Sequence, residues 1–319
     1  MLSATVRPIL RGYMDWVAHS AMAFGLLVLL FPATHAYAGE IEPRSYANAP
    51  VGINFLIAGY ARSEGGLSTA ASSPIKDAEL SMDTFVLAYA RTLEVLGKPG
   101  KFDVILPYSD LSGSALLAGE YKERNVSGLN DPRLRFSVNF FGAPLLSVQD
   151  FAGWQQDLII GASIQASAPL GQYDREKMVN LGNNRWFVKP DIGISKAWGD
   201  LTMELSTGVF FFTDNNDYYG GKKLEQDIVS TTQMHVMRSF GRGIWAAVSG
   251  TYDYGGRTTI NGVRSDDLQS NSRVGATFAM PVNRNNSVKL YANTGISTHS
   301  GTDYDLVGIA WQYRWGVGF

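Results

Sequence analysis

The sequence contains no cysteine among its 319 residues. An exported chain without cysteine has no disulfide framework, so packing and strand ladders must hold it together. The chain also has no large excess of positive or negative charge, because its formal net charge is only −2. A chain this close to neutrality has no basic footprint for nucleic acid. We therefore expect neither disulfide bonds nor a nucleic-acid partner.

Long hydrophobic runs are missing from everything that follows residue 38. A transmembrane helix needs about 20 consecutive apolar residues. Inside hydrocarbon every backbone polar group must find a partner in the protein, so a membrane protein without such runs must be a closed barrel. If this chain enters a membrane, it does so with strands.

The first residues have the three-part layout of an export signal. Basic residues come first, an apolar core follows at residues 21–31, and small residues form a cleavage pattern at residues 36–38. The apolar core is too short to span a bilayer as a helix. The pattern predicts a cleaved signal peptide over residues 1–38 and an outer-membrane β-barrel over residues 39–319.

The last segment alternates large apolar residues with polar or small ones. Because strand side chains point alternately to opposite sides, one face carries Trp311, Tyr313, Trp315, Val317 and Phe319. Such a face suits outer-membrane lipid, with its aromatic rings at the membrane interface. The ending also resembles the C-terminal signal that bacterial outer-membrane barrels present to their assembly machinery. Lipid and that machinery are therefore the expected partners, the latter through Phe319.

Alternation of this kind recurs along the chain and predicts an all-β, up-and-down antiparallel barrel. Twelve strands are expected near 50–62, 81–94, 101–111, 130–141, 157–168, 185–197, 201–213, 226–238, 243–254, 270–280, 287–298 and 304–319. An even number returns both ends of the chain to the periplasmic side. Residues 142–156 are long for a periplasmic connection. They are interpreted as a short helix under the barrel, or as a missed hairpin that would make fourteen strands.

The connections between the predicted strands alternate in length, as short periplasmic turns and longer outer loops do. The longer polar connections are expected at 63–80, 112–129, 169–184, 214–225, 255–269 and 299–303. One of them contains Tyr173 and Asp174, which are candidates for the pore mouth. The alternative is an ordinary turn after Pro169 that uses the backbone freedom of Gly171.

Charged residues fall on the face of several strands that would line the lumen. The candidates for a charged constriction are Arg133, Arg135, Lys189, Asp191, Glu204 and Arg273. A barrel of this size has limited interior room, so inward charges must pair with one another or line water. Two interpretations stay open: a constriction that selects solutes, or an ion network that fills a closed barrel. Trp186 lies on the opposite face and is a candidate interface anchor.

Several ordered motifs resemble one family of outer-membrane proteins. They are GINF at 52–55, GY at 59–60, NDPRLR at 130–135, Asn139 with GAP at 142–144, PLGQYD at 169–174, NRWFVKP at 184–190, FFTDN at 211–215, YGGRT at 254–258 and WQY at 311–313. The chain is thereby similar to the transporter-like barrels associated with the meta-cleavage pathway of phenol degradation. The resemblance implies a barrel that takes up aromatic or other hydrophobic compounds.

Catalytic and metal-binding patterns are weak. Only His235 and His299 follow the predicted cleavage site, and the sequence shows no nucleophile elbow and no His/Cys ligand cluster. The Asp- and Asn-rich run at residues 213–217 lacks the spacing of a helix-loop-helix calcium site. We therefore predict a passive transporter with no catalytic residue, cofactor or metal. The alternatives are a lipid hydrolase that uses His235, or a structural or adhesion barrel.

Overall fold

The alternating segments form one closed wall of antiparallel strands. A computed structural model of the chain describes residues 41–68, 75–117, 119–316 and 318. The predicted signal peptide lies outside the described residues, and so does Phe319. Among the described residues, no helix has the length and apolar composition needed to cross a membrane.

The described elements are seventeen strands and one short helix. They are β1 (Ile53–Ser68), β2 (Ile75–Val95), β3 (Lys98–Leu117), β4 (Glu120–Leu129), β5 (Arg133–Phe141), α1 (Val148–Phe151), β6 (Leu158–Ser167), β7 (Phe187–Trp198), β8 (Leu201–Phe212), β9 (Asn215–Tyr218), β10 (Lys222–Gln226), β11 (Val229–Ser239), β12 (Trp245–Gly255), β13 (Thr258–Ile260), β14 (Val263–Arg264), β15 (Gln269–Pro281), β16 (Asn286–Ser297) and β17 (Gly301–Gly316).

Twelve wall positions close the barrel, as the sequence predicts. Each strand pairs with the next around the wall, and β17 closes the ring on β1 from Ile53↔Gly316 to Ser68↔Gly301. The fourth position is shared, because β4 pairs with the outer part of β3 and β5 with its inner part. The remaining strands, β9, β10, β13 and β14, form a small separate sheet in the outer loops.

The wall is taller on one side than the alternation indicates. Residues 63–68 and 75–80 belong to β1 and β2, residues 112–117 belong to β3, and residues 120–129 form β4. The prediction of loops at 63–80 and 112–129 is therefore wrong for most of their length. These segments are rich in Gly, Ser and charged residues, a composition typical of loops. Strand pairing nevertheless satisfies their backbone hydrogen-bonding groups.

The expected alternation of short periplasmic and longer outer connections holds only in part. The prediction of a longer outer loop at 299–303 is wrong, because β16 ends at Ser297 and β17 begins at Gly301. Leu96 and Gly97 join β2 to β3 with φ values of 50° and 76°, the two positive angles of a type I′ hairpin turn. The stretch 142–156 contains the short helix α1 and adds no strand to the sheet within the described residues. The interpretation of that stretch as a short helix is therefore confirmed, and the fourteen-strand alternative is wrong.

The two faces of the wall differ in chemistry. Outward positions of β17 are exposed and apolar, including Trp311, Tyr313 and Trp315, whose rings stack in sequence with centroids 6.1 and 5.5 Å apart. Inward positions of β11 and β12 are buried and mostly polar, among them Gln233 and Thr251. A membrane barrel requires this combination of an apolar exterior and a polar interior.

Candidate functional site: the barrel lumen

The chain before β1 lies inside the barrel. Residues 41–52 contact inward-facing side chains of several strands and reach the periplasmic end, where the Val51 amide donates to the carbonyl of Leu146 at 3.1 Å. Near the same end, Asn48 Nδ2 donates to the carbonyl of Pro144 at 3.0 Å. We call residues 41–52 the N-terminal segment. It occupies the lower part of the lumen.

Tyr46 anchors the N-terminal segment. Its side chain is completely buried, and its hydroxyl donates to Asp191. Burial, followed by the charge of Asp191, raises the pKa of Tyr46, so the phenol stays protonated and able to donate. The ring lies against two inward glycines, Gly161 and Gly193. A Cβ built on Gly193 would lie 2.1 Å from Tyr46 Cε2, so a side chain there would displace the ring.

Two wall side chains bind the backbone of the segment around Tyr46. The Glu204 carboxylate accepts from the Ser45 amide at 3.0 Å and from the Tyr46 amide at 3.3 Å. Asn139 Nδ2 donates to the Tyr46 carbonyl at 3.1 Å. The backbone of a non-helical segment inside a barrel must find such partners, because the strands of the wall pair only with each other.

An ion pair fixes the upper end of the segment. Arg135 Nη1 donates to the Glu42 carboxylate, and the same nitrogen lies 3.5 Å from Ser45 Oγ. Burial alone would raise the pKa of Glu42, but the positive charges of Arg135, Lys101, Lys289 and Arg133 lower it to about 2. Glu42 is therefore ionised at neutral pH.

Above the segment the lumen opens into a cavity of about 150 Å³. Glu42 and Ser45 line it from the N-terminal segment, and Asn183 lines it from the outer loop between β6 and β7. Its chemistry is mixed: the basic residues are Arg133, Arg135, Arg185 and Lys189, the acidic residues are Glu42, Asp191 and Asp253, and the aromatic residues of the lumen face are Phe187, Phe210 and Phe212.

The three phenylalanines form one cluster on β7 and β8. Phe187 meets Phe210 edge-on with ring centroids 5.3 Å apart, and Phe210 stacks on Phe212 at 6.1 Å. Two cations lie over these rings. The Arg185 guanidinium is 4.7 Å from the centroid of Phe212, and Lys189 Nζ is 5.2 Å from that of Phe210.

The predicted constriction residues divide into three places. Arg133, Arg135, Lys189 and Asp191 line the cavity together, and Lys189 Nζ lies 3.7 Å from an Asp191 oxygen. Glu204 sits lower and binds the N-terminal segment. A role for these residues in solute selection stays a prediction.

Arg273 lies apart from the others. It is fully buried, donates to Asn293 Oδ1 at 2.8 Å and to the carbonyl of Tyr304, and its guanidinium stacks 3.7 Å from the Tyr304 ring. It belongs to the wall around β15–β17 and does not line the cavity.

The pore-mouth candidates lie in the outer loops. The Tyr173 hydroxyl donates to the carbonyl of Asp217 at 3.0 Å and accepts from Asn215 Nδ2 at 2.9 Å. Asp174 Oδ1 accepts from the amide of Glu176 at 2.9 Å. Tyr173 thus joins two outer loops, and Asp174 stabilises a local turn. Neither lines the cavity, and their role in solute selection stays a prediction.

Asp131 organises the loop above the cavity. It lies in the break between β4 and β5, where Pro132 has no N–H to donate. Its carboxylate accepts from the amides of Gly171 at 2.9 Å and Asn183 at 2.7 Å. A Cβ on Gly171 would lie 2.7 Å from the Asp131 nitrogen, so only glycine permits this approach. Two motifs far apart in the sequence therefore meet here.

His235, which faces the lumen, is within hydrogen-bond distance of a serine. His235 Nδ1 and Ser249 Oγ are 2.8 Å apart, and both residues are buried. The cross-strand neighbour of His235 is Glu204, whose carboxylate binds the N-terminal segment. Among the described residues no group of three His, Cys, Asp or Glu side chains could hold a metal ion.

Sequence reasoning missed the N-terminal segment and the phenylalanine cluster. The segment has no periodicity, so nothing in its residues indicates a place inside the barrel. The cluster could have been predicted from the sequence. Phe187 is two residues from Lys189 and so lies on the same face of its strand, and Phe210 and Phe212 lie on the same face of theirs as Glu204. Extending the alternation to the strand ends would have placed all three rings in the lumen.

Several solved structures are similar to this chain in fold. The COG4313 outer membrane channel from Pseudomonas putida F1 matches with a TM-score of 0.75 and 20% identity, over 86% of this chain and 100% of that one. The transport unit of the autotransporter AIDA-I from Escherichia coli matches with a TM-score of 0.50 and 9% identity, over 86% of this chain and 93% of that one. A comparison with curated protein sequences finds no match.

The closed twelve-position wall, its apolar exterior and its polar lumen define an outer-membrane β-barrel. The family profile described as "Putative MetA-pathway of phenol degradation" matches residues 63–314. The chain belongs to this family, as its motifs indicate.

Proposed function

We propose that this protein is a passive outer-membrane channel for small hydrophobic or aromatic solutes. Membership of a family associated with phenol degradation supports this function. The likeness in fold to a solved outer-membrane channel is consistent with it. Solutes would move down their own gradient, because a barrel in the outer membrane needs no energy source to permit diffusion.

The observation that carries the proposal is the cavity above the N-terminal segment. Its volume of about 150 Å³ equals that of an engineered apolar cavity that binds benzene. Three phenylalanine rings line one side, and charged and uncharged polar side chains make up most of the rest. A one-ring aromatic solute can pack against this cluster of rings.

Two routes out of the cavity are proposed for such a solute. In the first, the N-terminal segment moves aside and the solute continues through the lumen. In the second, the solute leaves sideways between strands, near residues 130–132, where β4 ends and β5 begins. There β4 has a strand partner only in β3 among the described residues, and the loop between β6 and β7 covers its other edge, with the Gln172 amide donating to Leu129 at 2.7 Å.

Planar-bilayer recordings on the purified protein test the channel. We expect discrete current steps that detergent alone does not give. A strain without the gene should also grow slowly on low concentrations of one-ring aromatic carbon sources and recover when the gene is restored. Silent bilayers together with unchanged growth would contradict the channel.

The hydrolase alternative has one observation in its favour, the contact between His235 and Ser249. Both side chains are buried, so a lipid ester has no access to them without rearrangement. Phospholipid and lipid A turnover by the purified protein, compared with the His235→Ala variant, tests it. Turnover by the wild type that is lost in the variant would establish hydrolysis. Equal background turnover by both proteins would rule out the hydrolase alternative.

A further inference from the structure

The cavity places aromatic rings and positive charge side by side. Phe187, Phe210 and Phe212 form its aromatic wall, with centroid separations between 5.3 and 6.4 Å. Arg185 and Lys189 lie over two of those rings, 4.7 and 5.2 Å from their centroids. A neutral aromatic solute would need only the rings. The cations add a second recognition element within the length of one small molecule.

The nearby acidic groups leave the positive charge of Lys189 in place, and Arg185 donates to the uncharged amide of Gln226. Glu42 is committed to Arg135. Asp191 accepts from the Tyr46 hydroxyl and lies 3.7 Å from Lys189 Nζ, near the outer limit of an ion pair. Such a long contact neutralises the ammonium group less than a hydrogen-bonded pair would.

A glycine keeps space open beside Lys189. Gly208 faces the lumen from β8, and a Cβ there would lie 2.8 Å from Asp191 Oδ2 and 2.9 Å from Lys189 Cε. Any larger residue would push these two side chains away from the wall. The site therefore depends on a small residue at this point.

The third acid lines the cavity from β12. Strand pairing joins Asp191 to Gly208, Gly208 to Thr231, and Thr231 to Asp253 in one row. Neighbouring strands are about 4.8 Å apart, so the backbone of Asp253 lies roughly 14 Å from that of Asp191 along the curved wall. Both carboxylate oxygens of Asp253 lack a hydrogen-bond partner among the described residues. Asp253 therefore adds an acidic group at a second position of the lining.

We propose that the cavity binds one-ring aromatic carboxylates of the benzoate type in preference to neutral aromatic compounds and to carboxylates without a ring. The ring packs on the phenylalanine cluster, and the carboxylate accepts hydrogen bonds from Arg185 and Lys189. This inference deepens the proposed channel function and rests on it, because it names the solute class that the channel would select.

Equilibrium dialysis of radiolabelled benzoate against the full protein in detergent tests the proposal, with a detergent-only chamber to subtract micelle partition. We expect saturable binding of one benzoate per chain. Acetate and benzyl alcohol should compete at least tenfold less well than unlabelled benzoate, since each supplies only one of the two recognition elements. Competition by benzyl alcohol equal to that by benzoate would overturn the charge-based selection.

Matched variants separate the site from general charge. Lys189→Gln should weaken benzoate binding about tenfold or more, the scale of one charge-assisted hydrogen bond, and Lys189→Arg should retain it. Lys289→Gln is the control, because Lys289 also faces the lumen over an aromatic ring, Tyr291 at 5.5 Å, but does not line the cavity. Phe210→Leu should weaken binding without changing charge. Heat-modifiable migration in gels reports whether each variant is folded.

The outcomes distinguish the two proposals. Current through the bilayer with no saturable benzoate binding, or with equal losses in Lys189→Gln and Lys289→Gln, would overturn the benzoate site and leave the channel standing. Benzoate binding that depends on Lys189, in a protein that passes no current and supports no uptake, would overturn the channel and leave the binding site as described.

Discussion

Replacing Tyr46 by alanine should release the N-terminal segment from the lumen. The variant loses a fully buried ring, its packing against Gly161 and Gly193, and its hydrogen bond to Asp191. Removing a buried aromatic side chain costs about 3–5 kcal/mol. The strand ladder closes the barrel without this segment, so the loss falls on docking of the segment and spares the wall.

This energy sets the size of the expected effect. Each 1.4 kcal/mol changes an equilibrium tenfold, so the undocked population should rise roughly a hundredfold to several-thousandfold. Trypsin provides the assay, because Arg44 lies within the segment, two residues before Tyr46, and stacks over Trp245 at 5.3 Å when docked. Cleavage after Arg44 tracks the undocked population as long as docking is fast compared with cleavage. Mass spectrometry of the released peptide gives the rate.

The trypsin experiment needs a control variant and a result that would contradict the prediction. Tyr108→Ala removes an exposed, outward-facing tyrosine and should leave the cleavage rate unchanged. If Tyr46→Ala is cleaved as slowly as the wild type while migrating as a folded barrel, then Tyr46 does not hold the segment, and the docking described here is incorrect.

Three further predictions follow from the same structure. Gly193→Ala should also raise cleavage after Arg44, because its Cβ would lie 2.1 Å from the Tyr46 ring, whereas Gly59→Ala meets only ordinary contacts beyond 3.5 Å and should have no effect. The folded pKa of Glu42 is about 2 and the usual value is 4.5, so its contribution to docking is complete above about pH 4.5 and is lost as the pH falls towards 2. Bilayer current should therefore rise over that range, and Glu42→Gln should remove this part of the rise. Changing Trp311, Tyr313 and Trp315 together to serine should reduce the amount of heat-modifiable protein in outer-membrane fractions, because we expect these exposed rings to anchor the last strand at the lipid interface. Equal amounts of variant and wild type would contradict that role.

The parts of the fold that could be predicted from sequence are those that alternate. Over most of their length, segments such as Leu158–Ser167 and Leu201–Phe212 alternate apolar and polar residues, so their strands and faces follow directly. The height of the wall could not be predicted, because the upper parts of β1–β4 stand where both faces are polar. Period two in hydrophobicity disappears there although the strand continues.

The lumen was only partly predictable for a related reason. Parity along a strand assigns Arg135, Lys189 and Asp191 to the inside, but it does not say which inward residues meet across the barrel. Those meetings depend on the N-terminal segment, whose residues bind Glu204 and Arg135 from a stretch without any pattern. The separation of Arg273 from the other charges likewise depends on its partners in β16 and β17.

Uptake of a radiolabelled one-ring aromatic solute by living cells tests the central claim, that solutes cross the outer membrane through this cavity. Cells lacking the gene would carry the wild type, Gln165→Trp, which fills the cavity, or Ile164→Trp, which changes the outward neighbour on the same strand. We predict that wild type and Ile164→Trp restore uptake equally and that Gln165→Trp falls to the level of cells without the gene. Wild-type uptake in the Gln165→Trp cells would contradict passage through the cavity.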